Sequence, residues 1–196
     1  MDESLDNDEV DLKEENVEEI NKAVILVFNF FDICIRSFIF VVLIFSFVFR
    51  TVGVEGHSMD NTLDHKDRLI IFSPTLRKPK VKDIVVLNTV DTLDSFIVKR
   101  IIAVEGQTID MKKNESHYDV YIDGVKIDED YIKEPIDLDN IGNLKYPITV
   151  PKGYVFVMGD NRNDSKDSRA LGLINIEKIK GVVFARFLPL RSIKIF

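Results

Sequence analysis

Along the chain the pattern of apolar and polar positions changes character at Arg50. From Ala23 to Phe49 almost every position is apolar, whereas beyond Arg50 short alternating apolar runs are separated by charged or turn-forming residues. The 27 residues of the first pattern would rise about 40 Å as a helix, enough to cross a hydrocarbon core of roughly 30 Å with some tilt. A helix apolar on nearly every side, as in Phe-Val-Val-Leu-Ile-Phe-Ser-Phe-Val-Phe ending at Phe49, needs lipid around it. Asn29, Asp32 and Arg36 are costly there. Asp32 and Arg36 lie four residues apart, however, so on a helix they share a face and can pair. The expected arrangement is an interfacial entry from Asn29 to Arg36 and a deeper span from Ser37 to Phe49. Phe49-Arg50-Thr51-Val52 is not a small-residue cleavage site and no basic start precedes the run, so residues 23–49 should stay as an anchor.

The second pattern reads as β structure. Strands are expected at Thr51 to Glu55, Arg68 to Phe72, Asp83 to Asn88, Ser95 to Val104, Tyr118 to Asp123, Tyr154 to Met158, Gly181 to Phe187 and Ser192 to Phe196. Asp123-Gly124 supplies a hairpin turn, and Asn175 to Lys180 is the single short helical candidate. Over residues 105–151 charge density rises and the strands are separated by Asn, Asp and Pro, which predicts a smaller lobe inserted into the rest. The expected fold is mainly β, an antiparallel and barrel-like core spanning 50–196, preceded by one transmembrane helix.

Charge sharpens this division. Residues 1–22 carry ten acids and two lysines, which accounts for more than the whole formal charge of -7. A block of like charge with few large apolar residues predicts a solvated, disordered tail. Residues 51–196 hold 22 acidic and 22 basic side chains, so there is no basic field for nucleic acid. One cysteine, Cys34, excludes a disulfide framework.

Metal chemistry finds no support, because no His-Glu-x-x-His, Cys-x-x-Cys or clustered His/carboxylate spacing occurs. The oxygen-rich loop from Asp160 to Asp167 fails as a calcium loop, with Arg162 where an acceptor belongs and Ser165 where glycine belongs. His57 adjoins Ser58, so in extended chain the two side chains point to opposite faces and His57 cannot take the serine proton. His65 and His117 remain weaker alternatives in turn-like surroundings. Lys99 stands in an otherwise apolar strand with Ile97, Val98, Ile101 and Ile102. Held there, its amine loses charge through desolvation and can act as a base toward a serine hydroxyl. The plainer alternative is that Lys99 and Arg100 form the solvent-facing side of a half-buried strand.

Four segments bear on this choice: Val-Glu-Gly-His-Ser58-Met59-Asp-Asn-Thr62-Leu63, Lys-Asp83-Ile-Val-Val-Leu, Lys99-Arg100-Ile-Ile-Ala-Val-Glu-Gly106, and Gly159-Asp160-Asn161-Arg162-Asn-Asp-Ser165-Lys-Asp167-Ser168-Arg169-Ala-Leu-Gly172. In this order they resemble the boxes of the bacterial type I signal peptidases, membrane-anchored Ser/Lys endopeptidases, from the anchor nearly to the end of the chain. The resemblance implies Ser58 as nucleophile and Lys99 as general base. Ser165 matches a hydroxyl that orients the lysine amine, Asp167 and Arg169 a charged pair that braces the site, and Asp160 and Arg162 structural members of the same box. Met59, Gly56, Leu63 and Val98 are implied as substrate-pocket residues, and the Ser58 N–H as an oxyanion donor. Some relatives carry a serine donor where Gly56 stands. Asn61, Glu105 and Gln107 replace a usual proline, proline and aspartate, and Lys82 a usual glycine.

The resemblance further implies removal of signal peptides from secreted preproteins after small residues, without a cofactor. The substrate would lie extended beside the strand before Ser58 and the strand carrying Lys99. The implied partners are signal-peptide-bearing preproteins and the bilayer. The amino terminus would face the cytoplasm and the peptidase domain the outer face. A Ser/Lys autoprotease like the repressors of the bacterial SOS response is the rival enzyme; the anchor and the lack of a DNA-binding domain oppose it. An inactive membrane-anchored binding module is the rival of another class, opposed by the joint presence of Ser58, Lys99, Ser165 and Asp167.

Overall fold

A computed structural model describes residues 3–75, 77–89 and 95–196, with backbone alone for 3–21, 44 and 46–48. The chain divides into two compact units, Met1–Phe47 and Val48–Phe196.

The first unit is a helix, α1, which spans Glu3–Val48. Its stretch Lys22–Leu43 is long and apolar enough to cross a membrane, and none of that window is buried by protein. Arg36 pairs with Asp32 at 2.9 Å, as their spacing predicts. The helix is continuous through the acidic segment from Glu3. The physical reason is cooperativity. The apolar span has already met the nucleation cost, and each added residue gains a hydrogen bond. Acids near a helix amino terminus also suit its dipole.

The second unit is built of two antiparallel sheets. The strands are β1 Phe49–Gly53, β2 Arg68–Phe72, β3 Ile84–Asn88, β4 Phe96–Val104, β5 Thr108–Lys113, β6 Tyr118–Ile122, β7 Val125–Lys126, β8 Ile148–Thr149, β9 Tyr154–Met158, β10 Ile174–Asn175, β11 Ile179–Leu188 and β12 Lys194–Ile195. The large sheet runs β1-β2-β11-β3-β4-β9-β10 with β12 on β11, and the small one β7-β6-β5-β8. The mainly β, antiparallel expectation holds, with an open hydrogen-bonded path from β1 to β10.

The strand period of two explains the core. In β3, Ile84 and Val86 enter one apolar cluster with Val54, Met59, Leu63, Leu69, Ile71 and Val183. Val85 and Leu87 enter another, with Ile101, Val155, Val157, Ile174, Ile179 and Val182. A third cluster joins Ile109, Met111, Val120 and Ile122 of the small sheet to Ile102, Ala103, Phe156 and Met158 of the large one. The small lobe is thus packed onto β4 and β9.

Boundaries differ in places. The first strand begins at Phe49, two residues before the expected start, because Phe49 to Gly53 pair in register with Phe72 to Arg68. The short helical candidate Asn175 to Lys180 is a 3-10 helix over only Ile176–Lys178, capped by Asn175 and set between β10 and β11. Such a short segment has too few hydrogen bonds to hold an α-helix against strand pairing on both sides. A one-turn helix, α2, at Ser168–Leu171 was not anticipated; Asp167 caps it by accepting from the Arg169 N–H.

Candidate active site

Ser58 stands in the turn that follows β1, and Lys99 lies within β4. Lys99 Nζ is 2.5 Å from Ser58 Oγ and donates to the Val98 carbonyl at 3.0 Å. Lys99 is 2% exposed. Burial, opposed by the nearby charges of Asp167 and Asp160, pushes the ammonium down from 10.5 to about 8. The reading of Lys99 and Arg100 as a solvent-facing pair is therefore overturned. β4 has clusters on both faces, and Arg100 is buried too, gripping Asp160 through Nε at 2.8 Å and Nη2 at 2.5 Å. Its guanidinium also lies over the Tyr131 ring, 4.1 Å from the centroid. Removing one partner of such a buried pair typically costs about 3–5 kcal/mol.

The loop after β9 closes the site from below. Asn161 donates its backbone N–H to the Ser58 carbonyl at 3.1 Å and its side-chain amide to the His57 carbonyl at 3.0 Å. Arg169 holds Asp167 through Nε at 2.9 Å and Nη2 at 2.8 Å. Asp167 also accepts from the Gly159 N–H at 3.0 Å. Burial alone would raise its carboxyl; these donors leave it below the usual carboxylate range. Arg162 pairs with Glu129 of the small lobe and not with Asp160. A Cβ on Gly159 would collide with the Ser165 hydroxyl and the Ser58 carbonyl, so glycine is required there by space.

Ser165, the hydroxyl expected to orient the lysine amine, lies under the loop after β9. Its hydroxyl is buried beneath Gly159 and has no partner in hydrogen-bond geometry, although it is near enough to Asp167 to help hold that carboxyl ionised. The Lys99 amine donates to the Val98 carbonyl.

A cleft of about 670 Å³ lies between β1 and the start of β4, with Val98, the neighbour of Lys99, on its lining. Val52, Ile71, Val86 and Val98 line it, with Arg50, Glu55, Phe96 and Lys180 also on its walls. Of the four expected pocket residues Val98 lines this cleft. Met59 and Leu63 are buried at 2% and 1% exposure in the cluster behind Ile71 and Val86, so they back the cleft. Gly56 sits in the turn with φ +88°, open space on its side-chain side and its N–H donated to His65 Nδ1 at 3.2 Å. Among the described residues the Ser58 N–H has no acceptor.

Sequence reasoning gave no role to Arg100, Asn161, Glu129 or the strap formed by Asn61. Asn61 has φ +83°, which proline cannot adopt. Its amide donates to the Tyr131 and Ile132 carbonyls at 3.1 and 3.2 Å, tying the turn that carries Ser58 to the small lobe. The signal for Arg100 was its place beside Lys99 in a strand apolar on both sides. The partners from the small lobe carried no signal, because they lie about 30 and 70 residues away in sequence.

No group of three or more His, Cys, Asp or Glu able to hold a metal occurs among the described residues. The sequence model of a family described as signal peptidase, peptidase S26, matches residues 27–188. The chain is similar to signal peptidase I P of Bacillus subtilis subsp. natto, 39% identical over 167 residues that cover 81% of this chain and 87% of that protein. It is also similar to signal peptidase I of Bacillus licheniformis, 34% identical over 85% of this chain and 91% of the relative. A solved signal peptidase I from Enterococcus faecalis V583 is 30% identical and aligns with a TM-score of 0.43 over 54% of this chain and 97% of that one.

Proposed function

This chain belongs to the signal peptidase family, peptidase S26, as a membrane-anchored bacterial type I serine endopeptidase that removes signal peptides, and from that premise we propose that Ser58 is its nucleophile and Lys99 its general base. The observation that carries the assignment is the 2.5 Å contact between Lys99 Nζ and Ser58 Oγ, made by a lysine with a lowered proton affinity. In the neutral form the same contact lets the amine accept the serine proton. Ser58 Oγ then adds to the scissile carbonyl, and its oxyanion meets the free Ser58 N–H. The Lys99 ammonium returns the proton to the leaving amine. The neutral lysine next activates the water that releases the acyl-enzyme.

The substrate binds as an extended strand in the cleft. β1 has a neighbour on one side only, and β4 is paired with β9 from Arg100 onward, leaving Phe96 to Lys99 open on that side. Both open edges line the cleft and offer backbone groups to a peptide. Small residues before the scissile bond fit its apolar floor. Asp167 with Arg169, and Arg100 with Asp160, hold the strand and loop that carry the dyad, while Ser165 fills space beneath it. Residues 1–22 form an acidic amino-terminal segment, 23–49 the anchor and 50–196 the peptidase domain, with 105–151 its inserted lobe. The peptidase domain faces the outside of the cell and the amino terminus the cytoplasm.

The test of the dyad is cleavage of a labelled preprotein by the purified chain, by Ser58→Ala and by Lys99→Ala. Each substitution should lower kcat about 10⁴-fold or more. Variants that cut as well as the parent would discard the assignment.

A further inference from the structure

Beneath the cleft lining one buried strand position, Gly181, has no side chain. Partners across antiparallel strands present their side chains to the same face. Val98 of β4 opposes Val86 of β3, and Val86 in turn opposes Gly181 of β11. Val98 and Val86 both line the cleft, so Gly181 continues their row. Its backbone is outside the left-handed region, and any L-residue would fit its conformation. Space is what requires glycine. A Cβ on Gly181 would lie 2.6 Å from Ile71 Cδ1, 2.9 Å from Ile71 Cγ1 and 2.9 Å from the Phe72 carbonyl oxygen, all well inside normal contact. Ile71, itself a cleft-lining residue, thus leans across from β2 into the place a side chain at 181 would take.

Ile71 has one direction in which to give way. On its inner side it belongs to the cluster of Val54, Met59, Leu63, Leu69, Ile84, Val86 and Val183, and a close-packed core does not yield a methyl's worth of room without cost. A side chain at 181 therefore presses Ile71 toward the cleft, together with the β2 backbone at Phe72. We propose that Gly181 is a specificity-determining residue: its missing side chain lets Ile71 lie low, and the two together set the depth of the cleft floor and so the size of substrate side chain admitted before the scissile bond. This rests on the reading of the cleft as the site of the extended substrate.

The experiment uses the full chain and labelled preproteins that carry Ala, Val or Leu at each of the three positions before the cut. For Gly181→Ala, the kcat/KM preference for Ala over Val or Leu should rise about tenfold at one of those positions, the discrimination that one methylene commonly gives. For Ile71→Val, which removes Cδ1, the preference should fall several-fold at the same position. In the double variant the two effects should largely cancel. Equal preferences in the parent and both single variants, or a uniform loss of kcat on every substrate, would overturn the proposal. If Gly181→Ala does not fold, Ile71→Val and Ile71→Ala read the same floor in the other direction. A separate variant, Val98→Phe, narrows the cleft from another wall and should raise KM for all substrates. If it does so while Gly181 and Ile71 leave the preference unchanged, the floor assignment alone fails; if it leaves KM unchanged, the placing of the substrate in this cleft fails with it.

Discussion

At the scale of the residue, the proposed chemistry turns on the proton of Lys99. Burial sets its pKa at about 8, well below the 10.5 of a free lysine, and the neutral amine is the form that can accept from Ser58. Roughly one lysine in ten is neutral at pH 7, so kcat/KM should rise nearly tenfold for each unit of pH below 8 and level off above it. The rising limb belongs to the lysine, because Asp167 is held below the usual carboxylate range and stays ionised throughout. The measurement is a kcat/KM profile from pH 6 to pH 9.5 on one preprotein. A flat profile would remove Lys99 from the role of titrating base. That Ser58 and Lys99 would be brought together was legible in the sequence through the boxes around them. Their surroundings were less so: the lysine amine also donates to the Val98 carbonyl, a backbone group that no residue type announces.

At the scale of the element, strands were legible wherever apolar residues alternate or run together between turn formers, and they came out close to their observed bounds. β5 was not expected, because Thr108–Lys113 has only Ile109 and Met111 buried, with Asp110 between them and two consecutive exposed lysines ending the alternation. The turn before β3 shows what a local rule can still offer. Lys82 has φ +72° at a position where the resemblance leads one to expect glycine, and a non-glycine residue in the left-handed region costs about 1 kcal/mol. Its exposed side chain makes no described contact, while its backbone N–H donates to the Ile101 carbonyl at 2.8 Å and its carbonyl accepts from Arg100 at 2.9 Å. Lys82→Gly keeps both backbone bonds and relieves the strain. Thermal unfolding should shift upward by about 2–4 °C with kcat/KM unchanged, whereas Lys82→Ala, which keeps a Cβ, should shift little. An equal gain from both substitutions would mean that side-chain charge, not backbone strain, was relieved.

At the scale of the whole molecule, charge and hydropathy separate an acidic amino-terminal segment, an apolar span and a neutral catalytic unit. A neutral unit suits a substrate held by backbone pairing and small side chains, and it leaves orientation to the flanks of the span. Acids count little in that choice, and an inside-negative potential would draw the ten acids of residues 1–22 outward. For the proposed orientation the cationic groups would have to do the holding, and Lys22 and Arg36 on the amino side outnumber Arg50 on the other. If they do, a tag at the amino terminus of cells expressing the parent chain should be shielded from an added protease, with the domain beyond Arg50 digested from outside. Replacing both cations, Lys22→Gln with Arg36→Gln, removes the bias and leaves the potential acting alone on the acidic segment. A measurable fraction of tags should then become accessible. A tag exposed in the parent chain would reverse the assigned orientation. An unchanged pattern in the double variant would show that the span's placement is fixed by something other than these two charges.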